Sequence, residues 1–175
     1  METWMETTQT FSYYHEDGTK ELLHLDPRLS SPNVDPKKRP YKFSPMPADA
    51  TAGDRFYFLG WPISWDELKA LGTRRNPRCR SGPLQAVAGC DYLRVASGFR
   101  FLQTATVEPQ TEEEKNAPEN KDGLTLLMLW VNEAELFHRI PNQGQVDKLV
   151  EILKREPAWY RDMYETDEFD RHHIH

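Results

Sequence analysis

The sequence predicts an α+β fold: an antiparallel β-sheet with two to three helices packed on one face, plus an N-terminal β-hairpin and a Pro-rich connector. Three observations carry that expectation. Arg55-Phe56-Tyr57-Phe58-Leu59 reads as a buried strand running into a capped helix. Leu126-Leu127-Met128-Leu129-Trp130-Val131 is an apolar run of strand length. Val146, Leu149, Val150 and Leu153 repeat at i, i+3, i+4, i+7, the spacing of an amphipathic helix.

From the N-terminus, Thr10-Phe11-Ser12-Tyr13-Tyr14 is β-prone, Glu16-Asp17-Gly18 is a turn signal, and Lys20 to Leu25 is the return strand or a short helix. Between Pro27 and Pro47 lie six prolines. Each lacks the backbone donor that helices and sheets use, so an extended connector is expected, lying over the domain or loose in solvent.

After the strand at 55–59, Gly60-Trp61-Pro62 turns the chain. Ser64 and Glu67 have the spacing of a capping box, with Ile63 and Leu68 placed as a hydrophobic staple. Gly72 marks the expected end of that helix, over 64–71. Residues 73–90 read as irregular because of Pro77, Gly82, Pro83 and Gly89. Tyr92-Leu93-Arg94-Val95 reads as a short strand, continued by Phe99, Phe101 and Thr104 to Val107. Leu124 to Val131 pairs with it. The intervening Glu108–Gly123 carries six acids and two prolines, a solvated, mobile hairpin loop.

Glu133 to Arg139 is helical or continues the strand. A helix over 145–156 stops at Pro157, and Pro157 opens a last helix with Trp159, Tyr160 and Met163. The resulting division is a hairpin arm (1–26), a connector (27–50), a core domain (51–165) and a tail (166–175).

Composition bounds the function. The 175-residue chain is 38% apolar with net charge −6, from 28 acids and 22 Lys and Arg. Mean hydropathy is −0.78. No apolar stretch nears the roughly 20 residues of a membrane helix, so no membrane is expected. Met1-Glu2-Thr3-Trp4-Met5-Glu6 lacks the pattern of a signal peptide, no Asn fits the glycosylation motif, and only Cys79 and Cys90 occur. These point to a reducing compartment, cytoplasmic or nuclear. An acidic chain is a poor sequence-independent DNA binder, because counterion release needs Lys and Arg along the backbone.

Against this background Arg74-Arg75-Asn76-Pro77-Arg78-Cys79-Arg80 stands out. Four guanidiniums within seven residues suit bidentate recognition of carboxylate or phosphate. The candidate ligands are an acidic protein partner, a phosphopeptide or single-stranded nucleic acid; homo-oligomerisation is a separate partner expectation. The cluster has no aromatic residue for base stacking, which disfavours the last. Internal pairing with the chain's own acids is the alternative.

Other groups are weaker. Cys79 among arginines with His138 as a base has catalytic residue types but no family-type context. His172-His173-Ile174-His175 is a compositional tract rather than a metal site. Two cysteines with no nearby histidine do not make a zinc site. Ser31-Pro32 and Ser44-Pro45 are short phosphorylation-type motifs beside Lys37-Lys38-Arg39. Trp61 and Trp65, with Tyr57, form an aromatic group for binding or packing. Gly-rich phosphate loops, HExxH and G-x-S-x-G are missing, so no cofactor or metal is expected.

Three functions remain. The first is a non-catalytic protein-interaction module, and the third an anion or RNA binder through Arg74, Arg75, Arg78 and Arg80. The second is a small enzyme or ligand-binding protein with a pocket at Tyr57, Trp61, Arg94 and His138.

Overall fold

The computed structural model describes residues 10–14, 20–24, 33–48, 56–131 and 140–164. Strands β1 (Thr10–Tyr14) and β2 (Lys20–His24) form a two-stranded antiparallel hairpin, with Thr10 opposite His24 and Tyr14 opposite Lys20. The main sheet contains β3 (Tyr57–Pro62), β4 (Gln103–Val107), β5 (Leu124–Val131) and β6 (Ala158–Arg161) in the order β4-β5-β3-β6, every pair antiparallel. The helices are α1 (Trp65–Arg75), α2 (Gly82–Ser97), α3 (Glu112–Asn116) and α4 (Gln143–Leu153). The α+β class is as the sequence predicts.

Both faces of the main sheet are buried, which explains the unbroken apolar run in β5. Leu59, Trp61, Leu127 and Leu129 pack in one core with Leu68 and Leu71 of α1, Ala86 and Leu93 of α2, and Leu149 and Leu153 of α4. Phe58, Ala105, Leu126, Met128 and Val131 form a second core on the opposite face. All core side chains from α1, α2 and α4 join the first cluster, so these helices pack on one face. A bulge lets two successive residues serve that face. Leu59 pairs with Trp130 but Gly60 pairs with Met128, leaving Leu129 as the extra residue. Gly60 has no alternative, because a Cβ there would stand 2.1 Å from the Leu127 carbonyl oxygen.

Four readings of the sequence are corrected. The segment read as irregular and then as a strand at Tyr92–Val95 is α2, a sixteen-residue helix. Its prolines and glycines are start and stop signals: Ser81 is the N-cap, Pro83 lies in the first turn, and Gly98 closes the helix at φ +72°. Phe99 and Phe101 accordingly sit in the turn before β4, their rings edge to face at 5.8 Å.

Helix α1 runs on past Gly72 to Arg75. Gly72 is there for contact with α2, since a Cβ would lie 1.8 Å from the Gln85 carbonyl oxygen; at Gly89 it would lie 2.1 Å from that of Leu68. The two backbones touch, and α1 and α2 form a tight antiparallel hairpin.

The last helix expected around Trp159 is instead β6, an edge strand on β3. Trp159 enters the first core and Tyr160 the second, an alternation only a strand supplies. Finally, Glu108–Gly123 holds α3 and a 3-10 turn at Pro118–Asn120 rather than an unstructured loop. Thr111 and Glu114 close a full capping box on α3, and Tyr160 donates its hydroxyl to Glu114 Oε1 at 2.9 Å.

Helix α4 begins one turn earlier than Val146 because Asn142 and Gln145 exchange hydrogen bonds as a capping box. It ends at Leu153, with Lys154 left-handed at φ 60°. The described part of the Pro-rich segment lies over the domain. Tyr41 N–H donates to Pro141 O at 2.9 Å, Phe43 stacks on Trp130 at 5.5 Å, and Trp159 Nε1 donates to Ser44 O at 2.9 Å. The helix-or-strand expectation for 133–139, and the tail at 166–175, lie outside the described residues.

Candidate functional site: the arginine tip and the outer face of α2

The arginine cluster is the tip of the α1–α2 hairpin. Arg74 and Arg75 end α1, where positive charge is favoured by the helix dipole, and Arg78 and Arg80 stand in the connection to α2. The backbone of that connection is fastened. Asn76 N–H reaches Gly72 O at 2.9 Å, Cys79 N–H reaches Asn76 O at 3.1 Å, and the Gln85 amide donates to Cys79 O at 2.7 Å.

The side chains are not fastened. All four arginines are exposed, and none makes an ion pair or hydrogen bond within the described structure. The acids of the hairpin are engaged elsewhere: Asp66 with Lys69 at 3.0 Å, Glu67 with Arg155 at 2.9 Å and Asp91 with Arg94 at 2.8 Å. Among the described residues the cluster therefore shows none of the internal pairing that was its alternative explanation. Four exposed cations with no partner among the described residues thus stand on a held backbone.

The neighbouring face adds a feature the sequence reading missed. In its sixteen residues α2 carries only two charged side chains, Asp91 and Arg94, and they pair with each other. Ala86, Gly89 and Leu93 face the core. Leu84, Val87 and Val95 fall on the opposite side of the helical wheel and are 61%, 55% and 66% exposed. Asp91 lies on the same side, four residues from both Val87 and Val95, so the exposed face is aliphatic at its two ends and crossed between them by the Asp91–Arg94 pair. The signal was present in the spacing of Leu84, Val87 and Val95, but it becomes a stripe only once the segment is known to be helical.

The remaining candidates are dispersed. Trp61 is fully buried, its indole N–H donating to Arg155 O at 2.8 Å, and Tyr57 belongs to the same core. Arg94 is half-buried and donates to Leu102 O at 2.7 Å as well as to Asp91. Trp65 is 56% exposed at the start of α1, ten residues and about 15 Å of helix from Arg75. His138 lies outside the described residues. Burial pushes the Cys90 thiol up, away from the thiolate a nucleophile needs; Arg94 opposes that shift and Asp91 adds to it. An open cleft of about 640 Å³ has Lys115, Pro118, Lys121 and Met163 in its wall, and none of the candidate binding residues named from the sequence lines it. Among the described residues no group of three or more His, Cys, Asp or Glu is placed to hold a metal, and no helix is long and apolar enough to cross a membrane.

No family model, no curated protein and no solved structure matches this chain. The functional reading therefore rests on the site alone.

Proposed function

We propose that the protein is a non-catalytic interaction module that binds an acidic protein partner through the tip of its α1–α2 hairpin, in the cytosol or nucleus. The observation that supports this is that, among the described residues, Arg74, Arg75, Arg78 and Arg80 have no ion-pair or hydrogen-bond partner, in a chain of net charge −6. Holding four cations apart from the chain's own carboxylates on a fixed turn favours carboxylate recognition over internal stabilisation. Both cysteines are free, which fits a reducing compartment.

The test compares proteins captured from native extract by immobilised full-length chain and by a variant with all four arginines changed to Ala. Acidic partners retained by the wild type and lost from the variant are the expected result. Identical captured sets from both would end the proposal.

A further inference from the structure

We infer that the arginine tip and the outer face of α2 together dock an acidic amphipathic helix of another protein. This rests on the proposed function and adds to it the shape and chemistry of the partner. Leu84, Val87 and Val95 run along α2 for eleven residues, about 16 Å, or roughly three turns of a facing helix. Along that length the only charges of α2 are the mutually neutralised Asp91 and Arg94. The stripe starts at the arginine tip, since Leu84 follows Arg80 by one turn of chain. A ligand that covers both needs an apolar row at helical spacing and a group of carboxylates at the end over the tip. An amphipathic helix with clustered Glu or Asp at one end has that pattern, and helix-in-groove recognition reads such rows at i, i+3, i+4 and i+7.

Charge selects this occupant over two others. A second copy laid along α2 in parallel would set two arginine tips against each other. Laid antiparallel, each tip would approach the far end of α2, where Arg100 is exposed and the nearby Asp66 and Asp91 are already paired. In neither arrangement do α1 and α2 of the second copy offer an unpaired carboxylate. A nucleic acid would use the cations but leave the aliphatic residues uncovered, and the one exposed aromatic among the described residues, Trp65, is a helix length away from the tip.

The experiment measures fluorescence anisotropy of a labelled synthetic helix, four glutamates in its first turns followed by leucines at i, i+3, i+7 and i+11, titrated with the full chain. Saturable binding is expected. It should weaken at least tenfold for the four-arginine-to-Ala variant and at least tenfold for the combined Leu84→Ser, Val87→Ser and Val95→Ser variant. All seven positions are exposed, so circular dichroism should show both variants folded. A peptide with its leucines replaced by serine should bind at least tenfold more weakly.

Equal binding of the serine peptide, or of the α2 variant, would overturn the amphipathic helix while leaving an acidic partner standing. An oligouridylate that outcompetes the peptide would overturn both this inference and the protein-partner reading. Sedimentation equilibrium showing a dimer that Val87→Glu dissociates would make a second copy the occupant and overturn the inference. No binding of the peptide to the wild type would also overturn it.

Discussion

Gly72 and Gly89 place two backbones where a single methyl group has no room. At these sites the missing Cβ matters for packing more than for conformational freedom, because neither residue has a positive φ. Gly72→Ala should lower the unfolding free energy by about 3 kcal/mol, read from the urea midpoint, since helix backbones cannot yield as a flexible side chain does. Glu67 illustrates a residue whose partner no local pattern names. The Ser64 hydroxyl accepts from Glu67 N–H at 3.1 Å as the capping motif requires, but the Glu67 carboxylate takes a bidentate bond from Arg155 at 2.9 and 3.0 Å. The pair is more than a third exposed, so Glu67→Gln should cost only about 1 kcal/mol, measured by the same unfolding experiment. Glu114 gives a pH signature. Burial raises its pKa, but hydrogen bonds from the Thr111 and Gln110 amides and the Tyr160 hydroxyl outweigh it, and the net shift is downward. Its contribution is therefore present above the unfolded value of about 4.3 and is lost as pH falls through the folded pKa. Tyr160→Phe should flatten the acid limb of stability against pH, and a limb unchanged in slope would show that the Tyr160–Glu114 bond does not couple to folding.

At the scale of elements, the Pro-rich segment and α2 each do something their composition conceals. Prolines keep residues 33–48 largely out of regular structure apart from a 3-10 turn at Pro36–Lys38, yet Phe43 anchors that segment on Trp130 and Trp159, with Tyr41 edge-on to Phe43. Phe43→Ala should destabilise the domain by about 2 kcal/mol, less than a fully buried Phe because Phe43 is half-buried, with the loss visible in thermal unfolding. Helix α2 satisfies two requirements at once. Its inner face fits α1 and the sheet, while its outer face keeps Leu84, Val87 and Val95 in solvent. Exposed aliphatics contribute little to the isolated fold, so changing the three to Ser should leave stability within about 0.5 kcal/mol, separating their role in binding from any role in folding.

Across the whole molecule, acidity and the arginine tip are two parts of one charge distribution. Net negative charge discourages non-specific adhesion to nucleic acid, and the tip gathers four positive charges at one exposed turn. Association through the tip should therefore weaken as salt rises, because exposed charges are screened beyond about 8 Å at physiological ionic strength. The sequence by itself marked strands at 55–59 and 124–131, the N-terminal hairpin, a helix over 145–156 and the position of the arginines, because each is a local pattern of spacing or composition. It marked Gly60-Trp61-Pro62 as a turn, whereas β3 runs through them to Pro62 because they pair with Leu126 to Met128. It did not determine that Gly82, Pro83 and Gly98 delimit a helix, since the same residues mark irregular chain when nothing packs against it. Nor did it determine that Trp159 and Tyr160 alternate between two cores, which requires β3 beside them. Whether the four arginines pair internally was likewise decided in three dimensions. Lys69, Arg94 and Arg155 take the carboxylates of the hairpin, and the four arginines of the tip are left exposed.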